Sequence, residues 1–131
     1  MLLCWKIRAG FSKGIAPERI KKYTDWFFEN HIKPHFQLEE AYVFPVLGAN
    51  HKMVKKALTQ HRRLTNLFNE DTEIERSLSR LEDNLARHIR FEERILFNEI
   101  QQVATKEQFA LIEEKHVALK FEENTEDEFW K

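Results

Sequence analysis

Glycine and proline are scarce in this chain, three of each in 131 residues, so its breaks can be read one by one. Strand-rich domains need frequent turn residues, and this scarcity favours a few long helices. Gly10 to Pro17 forms the first break. Leu47 to Asn50 forms the second, with Gly48 just past a helix end and Asn50 as the next N-cap. Asn69 to Thr72 forms the third, with Asp71 or Thr72 as cap. Near Val103 to Thr105, the pattern Thr105-x-x-Gln108 has the form of a capping box. Four long segments result, roughly 2–12, 17–47, 50–69 and 72–102, with a shorter helix over 105–120.

Each long segment has helical periodicity rather than strict alternation. Phe28, Ile32, His35, Phe36, Glu39, Val43 and Val46 share a face in the second. Val54, Ala57, Leu58, His61, Leu64 and Phe68 do so in the third, and Leu78, Leu81, Leu85, His88, Glu92, Ile95 and Leu96 in the fourth. Long amphipathic helices joined by short loops are antiparallel neighbours. The expected architecture is all-α, an up-down-up-down four-helix bundle over residues 1–120, followed by an acidic C-terminal tail over 121–131. That tail reads as frayed, with Phe129-Trp130 able to dock locally. Pro34 is expected to kink the second helix and free the carbonyl of Asn30. The first helix looks shortened. It offers about 16 Å against roughly 45 Å for the second, and the natural chain is expected to begin upstream of Met1.

Composition removes several function classes. Lys+Arg 21 against Asp+Glu 22 leaves no basic excess for nucleic acid. One cysteine, Cys4, excludes a disulfide framework or a thiolate zinc site within one chain. No apolar run reaches the roughly 18 residues needed to span a bilayer, and Lys6 and Arg8 interrupt any signal-peptide core. A cytoplasmic domain without nucleic-acid or membrane partners is the expectation.

The strongest chemical signal is an internal echo. His35-Phe36-Gln37-Leu38-Glu39-Glu40-Ala41-Tyr42-Val43-Phe44 aligns without gaps on His88-Ile89-Arg90-Phe91-Glu92-Glu93-Arg94-Ile95-Leu96-Phe97. A lone His-x-x-x-Glu is weak, because i,i+4 His–Glu pairs also form on surfaces. Two copies of His-x-x-x-Glu-Glu, each interrupting an apolar stripe, are much rarer. His61 interrupts the stripe of the third helix in the same way. An unpaired carboxylate in a bundle core costs several kcal/mol, so such groups are paired or metal-bound. His35, Glu39, His61, His88 and Glu92 are therefore the candidate metal ligands, able to grip one ion or two adjacent ions. His31, Glu40 and Glu93 are reserves. His51, at a helix start, reads as a surface or capping residue, and His116 reads as surface. Trp26, Phe27, Phe28, Phe36, Phe44, Phe91 and Phe97 read as core. Imidazole and carboxylate donors suit Fe, Mn or Zn rather than Cu(I), Mg or Ca. The order His-x-x-x-Glu differs from the Glu-x-x-His of ferritin-like sites, and no His-Glu-x-x-His occurs.

Taken together, His35-Phe-x-x-Glu39-Glu40-x-x-x-Phe44-Pro45-x-Leu47, Gln60-His61-Arg62-Arg63-Leu64 and His88-Ile-x-x-Glu92-Glu93-x-x-Leu96-Phe97 resemble the hemerythrin-like (HHE cation-binding) domain over about residues 2–115. The resemblance implies a four-helix bundle with non-haem iron, two per chain in a complete site. His35, His61 and His88 would be terminal ligands and Glu39 and Glu92 bridging carboxylates, with one position open to O2 or a related gas. The family takes a further histidine from its first helix, and this sequence has none before His31. A weaker or single-metal site, or recruitment of His31 or Glu40, is the expected consequence. The resemblance implies a protein that binds or senses O2 or buffers iron, ahead of a di-iron oxidoreductase acting on peroxide, nitric oxide or Fe(II). A metal-free interaction module is a third reading, and protein partners are not indicated.

Overall fold

In the computed structural model, residues 2–119 and 121–131 are described, and these contain helices and no strand. Met1 and Lys120 lie outside the described residues, and with them the expected start and the boundary drawn at residue 120. Helix α1 runs Leu2–Ser12 and α2 Pro17–Phe27. The chain continues through a π turn, Phe28–Ile32, into α3, Lys33–Leu38, then a second π turn, Glu39–Val43, and a 3-10 turn, Phe44–Val46. Helices α4, Lys52–Phe68, and α5, Ile74–Phe91, come next. A third π turn, Glu92–Leu96, leads into α6, Phe97–Val103, and α7, Lys106–Ala118, comes last. The long runs coincide with those read from the sequence to within a few residues.

The caps agree less well. His51, not Asn50, caps α4, its Nδ1 accepting from the Met53 amide at 3.1 Å. Neither Asp71 nor Thr72 caps α5. Glu73 holds that place with φ 47° and no side-chain bond, while Glu70 accepts from the Thr72 amide and hydroxyl. Competing local side-chain bonds are the reason sequence-level cap assignments slip by a residue or two. The Thr105–Gln108 capping box forms as read. Pro34 produces no open break. The π turn before it lets the Lys33 amide bond the Phe28 carbonyl, so the helix widens ahead of the proline and continues.

Two apolar clusters make the interior. One holds Leu3, Ile7, Ile20, Phe28, Phe36, Leu64, Phe68, Leu81 and Leu85 among others. The second holds Leu38, Val43, Phe44, Val54, Ala57, Phe91, Leu96 and Ile100. Along α3 the boundary between them falls at Phe36/Leu38, along α4 between Ala57 and Leu64, and along α5 between Leu85 and Phe91. The candidate ligands sit at this boundary on all three.

The C-terminal segment is anchored rather than frayed, docking through Phe129 and Trp130 as the sequence allowed, although residues 121–123, 125 and 126 stay exposed. Phe129 and Trp130 are buried, and Phe129 lies where a Cβ on Gly10 would stand at 2.9 Å, so only glycine admits it. Arg19 makes a two-point ion pair with Asp127. Lys6, only 2% exposed, donates to Tyr23 Oη at 2.8 Å and Glu123 Oε2 at 2.5 Å, with its ammonium 3.9 Å over the Trp130 ring. Tyr23 donates to the other Glu123 oxygen at 2.6 Å. Burial opposes ionisation of Glu123, but the Lys6 and Tyr23 bonds outweigh it and hold its carboxyl below the ordinary value. The segment is fixed because a buried ammonium requires its carboxylate.

Glu123→Ala should therefore cost about 2 kcal/mol of unfolding free energy, because it strands the Lys6 charge. Lys6→Met should cost less, because the carboxylate it leaves behind is partly exposed and keeps its bond from Tyr23. Denaturant unfolding of the two variants checks the order.

Candidate metal centre

The two copies of the His-x-x-x-Glu motif fold alike beyond their shared residues. Each glutamate begins a π turn, Glu39–Val43 in one copy and Glu92–Leu96 in the other. In each, the Phe five residues on donates its amide to the glutamate carbonyl, Phe44 to Glu39 and Phe97 to Glu92. π turns inside α-helices recur at functional sites. Here each one marks the inward carboxylate. The sequence carried no signal for the turn type, although the gapless repeat made equal geometry in the two copies the natural outcome.

Glu39, His61, His88 and Glu92 are all buried and bring one ligand atom each to within 4.8 Å of one another. His61 Nε2 lies 3.3 Å from Glu39 Oε1 and 3.7 Å from Glu92 Oε1. His88 Nε2 lies 2.7 Å from Glu92 Oε1. Despite these close approaches, Glu39 Oε1 and Oε2, His61 Nε2, His88 Nε2 and Glu92 Oε1 have no aligned hydrogen-bond partner among the described residues. Unmet buried polar atoms each cost on the order of 1–3 kcal/mol, more when charged. Five converging on one point is a cost that a cation removes. The donors fit such an ion: two imidazole nitrogens, two carboxylates and no thiolate.

The far sides of both rings are held. His61 Nδ1 donates to Glu40 Oε2 at 2.9 Å, and His88 Nδ1 donates to Gln60 Oε1 at 2.5 Å. With the proton on Nδ1, each neutral ring turns its Nε2 lone pair into the cluster, the tautomer a metal ligand needs. Phe36 stacks on His61 with ring centroids 3.7 Å apart and planes 8° apart. Phe44 lies 5.3 Å from the same ring.

His35, 34% exposed at its side chain, stands beside this group with Nε2 3.6 Å from Glu39 Oε1. The reserve ligands fall elsewhere. Glu40 orients His61 and does not face the cluster. His31 Nε2 lies 3.1 Å from the Glu122 carbonyl, its ring centroid 4.5 Å from that of Phe121. Glu93 is exposed. Gln60 is the functional side chain that sequence reasoning missed. Its only signal was adjacency to His61, and a residue on a neighbouring helix cannot be assigned to His88 without the fold. His116 is exposed as read, yet its ring centroid is 5.6 Å from that of His35.

Burial raises the Glu39 carboxyl well above its ordinary value, helped by the charge of Glu92. Burial also acts on Glu92, but the imidazoles of His61 and His88 outweigh it and hold that carboxyl well below its ordinary value. Burial works against protonation of His61. The surrounding carboxylates of Glu39, Glu92 and Glu40 prevail, and its pKa is pushed up to about 9. Without metal, protons sit where an ion would. An ion entering must displace them.

Compared with family models, curated proteins and solved structures, the chain matches none.

The His61 shift has a stability consequence in the metal-free protein. The carboxylate contacts that favour the imidazolium exist only in the folded state. Their contribution is complete below 6.5, the ordinary value, and is lost as pH rises through about 9. Thermal melts in a chelator should show Tm falling across that window in the wild type. His61→Gln should flatten the fall.

Proposed function

We propose that the protein binds non-haem iron in a hemerythrin-like four-helix bundle and uses it to hold or sense O2. The observation that carries the reading is the convergence of Glu39, His61, His88 and Glu92 with five buried donor atoms unpartnered. The bundle reading draws on α4 and α1 both packed against α5, with α2 beside them. The repeated His-x-x-x-Glu-Glu, now matched by a repeated π turn, supports relatedness to hemerythrin-like domains, which take their ligands from these motif positions.

Iron bound by this donor set supplies reversible coordination of a small diatomic molecule. The chain's own residues do the rest. Glu40 and Gln60 fix the ring orientations of His61 and His88 and keep their Nε2 atoms free of protons once an ion enters. Phe36 and Phe44 exclude water from one side, which strengthens the electrostatic grip of the two carboxylates. No helix among the described residues is long and apolar enough to cross a membrane, and the expected setting remains the cytoplasm.

The test is iron content and absorption of protein purified anaerobically under iron-replete conditions, before and after exposure to O2. Bound iron with an O2-dependent visible spectrum is the expected result. Catalytic turnover of peroxide, nitric oxide or Fe(II) would replace binding with oxidoreductase activity. Stable folding with no bound metal, unaffected by a Glu39→Ala, Glu92→Ala pair, would sink the metal reading and favour a metal-free interaction module.

Gln60→Ala and Glu40→Gln leave all four donors in place and disturb only the orientation and basicity of the rings. Each should weaken metal affinity by about 10–100-fold, measured by competition with a chelating dye.

A further inference from the structure

Helix α7 covers a gap rather than a core. None of its thirteen residues is fully buried, and a helix of that length is marginal in water without packing. It lies against the π turn that Glu39 begins. Phe109, Ile112 and His116, spaced i, i+3, i+7, share one face, and all three front a cavity of about 190 Å³. Phe109 and Ile112 stop at half-burial because the cavity lies beneath them. Across it, Leu38, Val43 and Ile100, each no more than 6% exposed, supply an apolar floor.

The polar groups on the cavity stand at its edges. Gln101 and His116 are exposed and His35 is half-buried, so these three mark the mouth. Glu39, 1% exposed, is the partition between the cavity and the buried cluster, its Oε1 3.3 Å from His61 Nε2. A buried water needs two to four polar partners, and a cavity of about 150 Å³ lined by Leu, Ile and Phe stays dry and takes benzene. The cavity under α7 is somewhat larger and its floor is alike. A diatomic gas would leave most of it empty. A charged group would shed its hydration against carbon walls, and an anion would face the Glu39 carboxyl as well.

We propose that the cavity between α7, α6 and the Glu39 π turn is a binding site for one small uncharged organic molecule, a monocyclic aromatic or an aliphatic of similar volume. Its apolar body lies on Leu38, Val43 and Ile100, and any hydroxyl it carries stands at the mouth beside Gln101 and His116. Filling the cavity buries Phe109 and Ile112 and seats α7. The site goes beyond the metal reading and does not depend on it. Because Glu39 is a wall of both, a bound molecule stands beside the metal donors.

Fluorine NMR titration of the metal-free full chain with para-fluorotoluene tests the site. Saturable binding of one molecule per chain is expected, with nuclear Overhauser contacts from the probe to methyl groups of Val43, Ile100 and Ile112. The charged analogues para-fluorobenzoate and para-fluorobenzylammonium should bind about tenfold more weakly or worse. Amide exchange along α7 should slow with the probe bound, while that of α1 does not change. Ile112→Trp, which puts an indole into the space, should weaken the probe by about tenfold or more with helical circular dichroism unchanged. Leu111→Ala, on the exposed side of the same helix, should bind as the wild type does. Absence of saturable binding, Overhauser contacts only to residues elsewhere, or a charged analogue binding as tightly overturns the proposal. The wild-type contacts decide it if Ile112→Trp does not fold. A failure here leaves the metal reading standing, and protein without iron that still binds the probe leaves this site standing.

Discussion

Two carboxylates and two imidazoles held out of water at one point are the constraint that organises this molecule. Glu39, His61, His88 and Glu92 lie where two apolar clusters meet, and every helix that carries them contributes to both clusters. Packing on either side fixes the helices in register. The polar group between them is held by its well-packed neighbours and, behind its two rings, by Glu40 and Gln60, while its inward atoms have no aligned bonds among the described residues. Left alone, it is a site of unmet hydrogen bonding that hydrophobic burial elsewhere must offset. A cation would convert that cost into binding free energy.

The π turns show how the backbone cooperates. An α-helix places i and i+4 side chains on one face, which brings each histidine and its glutamate together. At the end of the widened turn, Val43 and Phe44 return to the apolar interior in the first copy, and Leu96 does so in the second, where Phe97 is half-buried. Because the same device occurs at Glu39 and Glu92, the two glutamates reach the centre from different helices, although only the second copy brings its histidine, His88, into the cluster. Proline handles the third widened turn differently. Pro34 cannot donate an amide, and the chain accommodates it by bonding five residues back just ahead of it.

Away from the centre, charge is again the organiser. Lys6 buries an ammonium in the apolar end of α1, and Glu123, Tyr23 and Trp130 enclose it. This fixes the C-terminal segment against α1 and α2, where composition alone suggested a solvated tail. The acidic character of the segment is functional in that limited sense: Glu123 and Asp127 meet Lys6 and Arg19.

The sequence by itself determined the helical class, the positions of the long runs and the inward placement of Glu39, His61, His88 and Glu92, and the physical reason is periodicity. Most residues on the apolar stripe of a long helix face the interior wherever that helix lies, while His35 and Ile95, read on the same stripes, stay 34% and 47% exposed. It could not determine which side chains would meet from different elements. That Gln60 orients His88, that Glu40 serves His61 rather than the ligand set, that His31 turns to Glu122 and that His116 comes to His35 all depend on how helices pack side by side. So does the burial of Phe129 and Trp130, since a short aromatic pair has no periodicity to read and finds its place only after Gly10 has opened a gap. Local pattern fixes the face a residue presents. Tertiary packing decides what that face meets.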